Sequence, residues 1–90
     1  MGTMTNNSEA TIVVVDDEPS IRELVSASLH FSGFEVKTAA SGTEAIDVIT
    51  KTDPDLIVLD VMLPDIDGFT VTRRIRQQGI EAPVLFLTAR

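Results

Sequence analysis

The chain has no cysteine, which excludes disulfides, zinc–thiolate centres and thiol nucleophiles. Long hydrophobic runs are lacking too. Its longest uninterrupted aliphatic run is four residues, far below the roughly 20 that span a bilayer. Positive charge is scarce: seven Lys and Arg stand against fourteen Asp and Glu, a net charge of −7. That balance disfavours both a nucleic-acid backbone and an anionic membrane surface as partners. The opening "MGTMTNNSEA" has neither the basic patch nor the apolar stretch of a secretion signal. Asn6 stands where a myristoylation motif needs Ser or Thr, and the triplet Asn6-Asn7-Ser8 is idle in a cytosolic protein. We read residues 1–10 as a disordered tail and 11–90 as one domain in the cytoplasm.

What is present is a regular alternation. Unbroken apolar runs, too short for helices, occur at Ile12–Val15, Leu56–Leu59 and Val84–Leu87, as expected of strands buried on both faces. The stretch "FEVKTA", Phe34 to Ala39, alternates and reads as an edge strand. Between these lie helical patterns. Pro19 suits a first helical turn, followed by Ile21, Leu24, Val25 and Leu29 until Gly33. "SGTE" at Ser41–Glu44 reads as a capping box ahead of Ala45, Ile46, Val48 and Ile49. A third helix starts near Asp67-Gly68, carries Phe69, Val71, Thr72 and Ile75, and stops by Gly79. The order β-α-β-α-β-α-β predicts right-handed crossovers and a parallel α/β sheet.

In such a sheet the binding crevice lies beyond the carboxyl ends of the strands. The first strand ends in Asp16 and Asp17, the third in Asp60 and the fourth in Thr88. A lone Asp at a strand end is ordinarily a turn residue or a helix cap. If the first and third strands are neighbours, however, three carboxylates meet in one crevice, a costly arrangement that a hard divalent cation relieves. Oxygen-only ligands favour Mg²⁺, Mn²⁺ or Ca²⁺ over zinc. His30, late in the first helix, reads as a favourable charge at a helix C-terminus and not as a phosphotransfer group. Arg73, Arg74 and Arg76 read as a solvated helix face. Gly68 reads as a site of close backbone packing near Asp60, and Pro64 as the residue that fixes the intervening turn.

"VVVDDEP", "LIVLDVMLPDIDGF" and the terminal "LFLTAR", in that order, resemble the receiver domain of two-component response regulators over about residues 11–90. The resemblance implies a flavodoxin-like parallel sheet in the order 2-1-3-4, with a fifth strand expected beyond this chain. It also implies Mg²⁺-dependent phosphorylation by a sensor histidine kinase, making the chain a signalling switch and not an enzyme. Asp60 matches the phosphoacceptor. Asp17 matches the acid that binds Mg²⁺ directly, Asp16 the second acid, and Met62 the position whose backbone carbonyl is a metal ligand. Thr88 matches the hydroxyl that contacts the phosphoryl group, and Ala89 the small residue beside it.

The family pattern continues with a fourth helix, a fifth strand ending in a lysine, and a fifth helix. Lys37 and Lys51 lie elsewhere and do not substitute for that lysine. The chain is therefore expected to be part of a longer regulator. "PVLFLT" would then be an apolar edge that invites self-association by strand pairing or segment exchange. Contact with DNA is implied only through an output domain outside this chain, by likeness of "LTAR" and "GFEV" to the winged-helix branch. Two alternatives stand beside this reading. One is a haloacid-dehalogenase-type Mg²⁺ phosphatase, although Asp60 is followed by Val61 and Met62 and not by the Asp-x-Asp spacing. The other is a non-phosphorylated interaction module.

Overall fold

Valine, isoleucine and leucine make up the runs Ile12–Val15 and Leu56–Leu59 of the two central strands, which are buried on both faces. The computed structural model describes residues 9–87. Its elements are β1 (Thr11–Val15), α1 (Pro19–Phe31), β2 (Glu35–Ala39), α2 (Gly42–Thr52), β3 (Leu56–Asp60), α3 (Gly68–Gln77) and β4 (Val84–Leu87). All strand pairs are parallel and the order is β2-β1-β3-β4, as expected. Successive side chains of each strand go to opposite faces. Val13, Val15, Ile57 and Leu59 pack with Ala45 and Ile49 of α2 and Val71 and Ile75 of α3. Ile12, Val14 and Val58 face the other way, against Val25 and Leu29 of α1. The second face is thinner: α1 buries no residue fully, whereas α2 and α3 each bury three.

Local chemistry sets the helix ends. Pro19 opens α1 after Glu18, which makes no side-chain cap, and Gly33 ends that turn at φ 101°. Ser41 caps α2 by accepting from the Glu44 amide, and Glu44 reaches back to the Ala40 amide. Asp67 caps α3 through the Thr70 amide.

Boundaries differ slightly from the sequence expectation. Phe34 falls outside β2 because its N–H donates to the Leu29 carbonyl at the end of α1. Asp60 is drawn into β3 by pairing with Leu87. β2 is an edge strand, yet its alternation is incomplete, since Lys37 and Thr38 are both exposed. Of the tail, residues 1–8 lie outside the described residues, and the Ala10 carbonyl accepts from Glu35. β4 has only β3 beside it among the described residues. Leu85 is 57% exposed, and the Phe86 ring lies 4.9 Å from that of Phe69.

Candidate metal centre

The β1–β3 register pairs Val15 with Leu59, so the chain leaves the two strands side by side at Asp16 and Asp60. Both are 1% exposed, and Asp17 is the more open of the three acids. Asp16, Asp17 and Asp60 each offer a carboxylate oxygen, all within 4.8 Å of one another. Two unit charges at that separation repel by about 3 kcal/mol at an effective dielectric near 20. The backbone holds the acids in place despite this. Asp16 Oδ1 accepts from the Glu18 amide at 2.8 Å, the Asp16 amide donates to the Ala39 carbonyl at 3.2 Å, and the Arg22 guanidinium donates to the Asp16 carbonyl at 2.8 Å. Asp60 Oδ1 accepts from the Met62 amide at 3.2 Å. Oxygen donors alone, converging without His or Cys, fit a hard divalent cation.

The loop from Val61 to Asp67 carries Met62 past these acids. Its two ends meet where the Gly68 amide donates to the Val61 carbonyl at 2.8 Å. Gly68 is required there, because a Cβ would lie 2.6 Å from the Asp60 carbonyl oxygen. Farther along, Asp65 accepts from the Gly42 amide at 2.8 Å and the Thr43 amide at 2.9 Å, the first two N–H groups of α2. The Thr43 and Gly42 amides hold the Asp65 carboxyl well below the usual carboxylate range. The Thr70 amide lowers that of Asp67 in the same way.

The three acids singled out in the sequence thus come together, and Met62 follows in the adjoining loop with its side chain 60% exposed. Thr88 and Ala89 lie outside the described residues. His30 sits exposed in the last turn of α1. Arg73 and Arg74 face solvent as expected, but Arg76 donates to the Ile80 and Ala82 carbonyls and ties down the α3–β4 turn. Sequence reasoning also missed Asp65. A cap supplied from 22 or 23 residues away has no local spacing to reveal it.

A parallel 2-1-3-4 sheet with acids at the ends of its inner strands is the flavodoxin-like receiver architecture. The family model of the response regulator receiver domain matches residues 12–90, and the chain belongs to that family. It is 46% identical over 85 residues to the transcriptional regulatory protein TrcR of Mycobacterium tuberculosis, covering 94% of this chain and 33% of that protein. It is 48% identical over 79 residues to the response regulator MprA of Mycobacterium avium, covering 88% of this chain and 35% of that protein. The chain therefore spans about a third of the length of the curated relatives it matches. Among solved structures, chemotaxis protein CheY4 of Vibrio cholerae aligns with a TM-score of 0.87 and 39% identity, over 92% of this chain and 71% of that one. The response regulator TrrA of Thermotoga maritima, solved in complex with Mg²⁺ and a beryllium fluoride, aligns with a TM-score of 0.83 and 41% identity, over 90% of this chain and 70% of that one. These matches are to signalling domains and not to the phosphatases weighed as the enzyme alternative. Among the described residues, no helix is long and apolar enough to cross a membrane.

Proposed function

We propose that this chain is a phosphoacceptor switch: Asp60 takes a phosphoryl group from a sensor histidine kinase at a Mg²⁺ site formed by Asp16, Asp17, Asp60 and the Met62 carbonyl. The observation that carries this reading is the convergence of three carboxylates within 4.8 Å, two of them buried, at the ends of adjacent strands. An Asp60 carboxylate oxygen attacks phosphorus, a new P–O bond forms, and the donor's P–N bond breaks, or its P–O bond when the donor is an acyl phosphate. Bound Mg²⁺ supplies charge neutralisation and alignment for this meeting of anions. The Met62 amide, donating to Asp60 Oδ1, fixes the orientation of the nucleophilic carboxylate. Thr88 is assigned the phosphoryl contact. The added group brings about −1.5 to −2 charge, enough to reorder a nearby hydroxyl and loop. The name of the relative TrcR, a transcriptional regulatory protein, supports transcriptional control as the output of the whole protein.

The test is incubation with Mg²⁺ and acetyl phosphate, followed by intact mass. One metal-dependent phosphoryl adduct, lost in Asp60→Asn, supports the reading. Steady phosphate release from many monoesters, or no adduct at all, refutes it. The exposed Leu85 and Phe86 favour a second property, pairing of β4 with a second copy of the chain. Light scattering that reads a monomer at every concentration overturns that property.

A further inference from the structure

The middle of the Val61–Asp67 loop is tied to a different element from the one that carries the nucleophile. Its ends are fixed locally, by the Met62 amide on Asp60 Oδ1 and the Gly68 amide on the Val61 carbonyl. Between them, the Asp65 carboxylate spans the Gly42 and Thr43 amides, one oxygen to each, at 2.8 and 2.9 Å. Ile66 seats against Gly42, where a Cβ would run into Ile66 Cγ1 and lie 2.9 Å from its carbonyl oxygen. α2 has its own capping box in Ser41 and Glu44, which serves the Glu44 and Ala40 amides. Asp65 therefore does not duplicate that cap. It takes the two remaining first-turn amides and fastens the loop to the positive end of α2.

We propose that Asp65 is a positioning residue: by anchoring the loop to α2 it holds the Met62 carbonyl within reach of the Asp16, Asp17 and Asp60 carboxylates. This rests on the metal-site reading above. A carboxylate can accept from two adjacent amides at once. An asparagine keeps one acceptor and turns an NH₂ group toward the second amide. Loss of the anchor frees the loop at its centre while leaving the three acids unchanged, so its effect falls on metal affinity before it falls on the nucleophile.

The experiment is Mg²⁺ titration by calorimetry on wild type, Asp65→Asn, Asp65→Ala and Ser41→Ala, at a temperature below every melting midpoint. Hydrogen exchange of the loop amides is measured in parallel. Expected is a rise in the Mg²⁺ dissociation constant of about tenfold in Asp65→Ala, by analogy with groups that orient metal ligands. Asp65→Asn should fall between it and wild type, and the Val61–Asp67 amides should exchange faster in both. Ser41→Ala, which weakens α2 without touching the loop, should lower the melting temperature and leave the dissociation constant at the wild-type value. Wild-type affinity in a folded Asp65→Ala or Asp65→Asn protein overturns the proposal alone. An equal loss in Ser41→Ala also overturns it, because the effect would then belong to α2 stability. If Asp65→Ala does not fold, Asp65→Asn carries the test. Wild-type protein that takes up no Mg²⁺ overturns the metal-site reading, and this proposal with it.

Discussion

Replacing Gly68 by alanine sets two physical rules against each other. Gly68 is the first residue of α3, and helix propensity alone favours alanine over glycine by up to about 1 kcal/mol. The structure predicts the opposite sign. The new Cβ would lie 2.6 Å from the Asp60 carbonyl oxygen, 3.1 Å from Val61 Cα and 3.3 Å from the Asp60 carbonyl carbon. Ordinary contact begins near 3.4 Å, and every one of these atoms is backbone, so no side chain can swing aside. α3 must move away from the end of β3, loosening the 2.8 Å bond between the Gly68 amide and the Val61 carbonyl. Overpacking of this kind costs about 1–3 kcal/mol, and the weakened hydrogen bond about 1 more. Set against the propensity gain, a net loss of about 1–3 kcal/mol remains. In a domain of this size each kcal/mol shifts the melting temperature by about 4–8 °C. Thermal unfolding by circular dichroism, without metal, should therefore show a fall of at least several degrees in Gly68→Ala. An unchanged or raised midpoint refutes the close-approach argument.

Three further outcomes follow from the same geometry. Ile49→Ala, at a fully buried α2 position packed against the sheet, should cost about 2–5 kcal/mol in urea melts, while Leu24→Ala, 68% exposed, should stay within about 0.5; equal losses would refute the core assignment. Without metal, Asp60→Asn should raise stability by about 1–3 kcal/mol through relief of carboxylate repulsion, and saturating Mg²⁺ should stabilise wild type more than the variant; a metal-free loss of stability would refute this. The Asp65 and Asp67 carboxyls lie below their ordinary 3.8 in the folded chain, so their contribution is complete above about pH 4 and is lost as pH falls through the lowered values. Asp67→Asn keeps a cap that does not titrate, and its stability should fall less steeply than wild type below pH 4; parallel acid profiles refute the assignment.

The sheet was legible because its inner strands are unbroken β-branched and aliphatic runs such as "IVVV" and "LIVL", too short to be helices in their own right. The parallel direction followed from the crossovers, and the strand order from the resemblance alone. β2 was harder: an edge strand mixes solvent and core, and Phe34 was lost from it to a hydrogen bond with the end of α1. The three acids were legible because they stand where two strands stop. The roles of Asp65 and Arg76 were not, because each satisfies backbone groups of another segment, and amphipathic periodicity carries no information about which distant amide or carbonyl needs a partner.

The pairing of Val15 with Leu59 makes the site a gauge of correct assembly. Asp16 continues the parity of Ile12 and Val14, and Asp60 that of Val58, so both acids leave the sheet on the same side. Sliding β3 by one residue along β1 would send Asp60 to the opposite side and dissolve the cluster, even though every apolar run could still find apolar neighbours. A cation bound by all three acids would therefore discriminate molecules whose strands are aligned from molecules that are merely collapsed. Ligand uptake would then count the aligned fraction of a preparation, something neither helix content nor overall size can report.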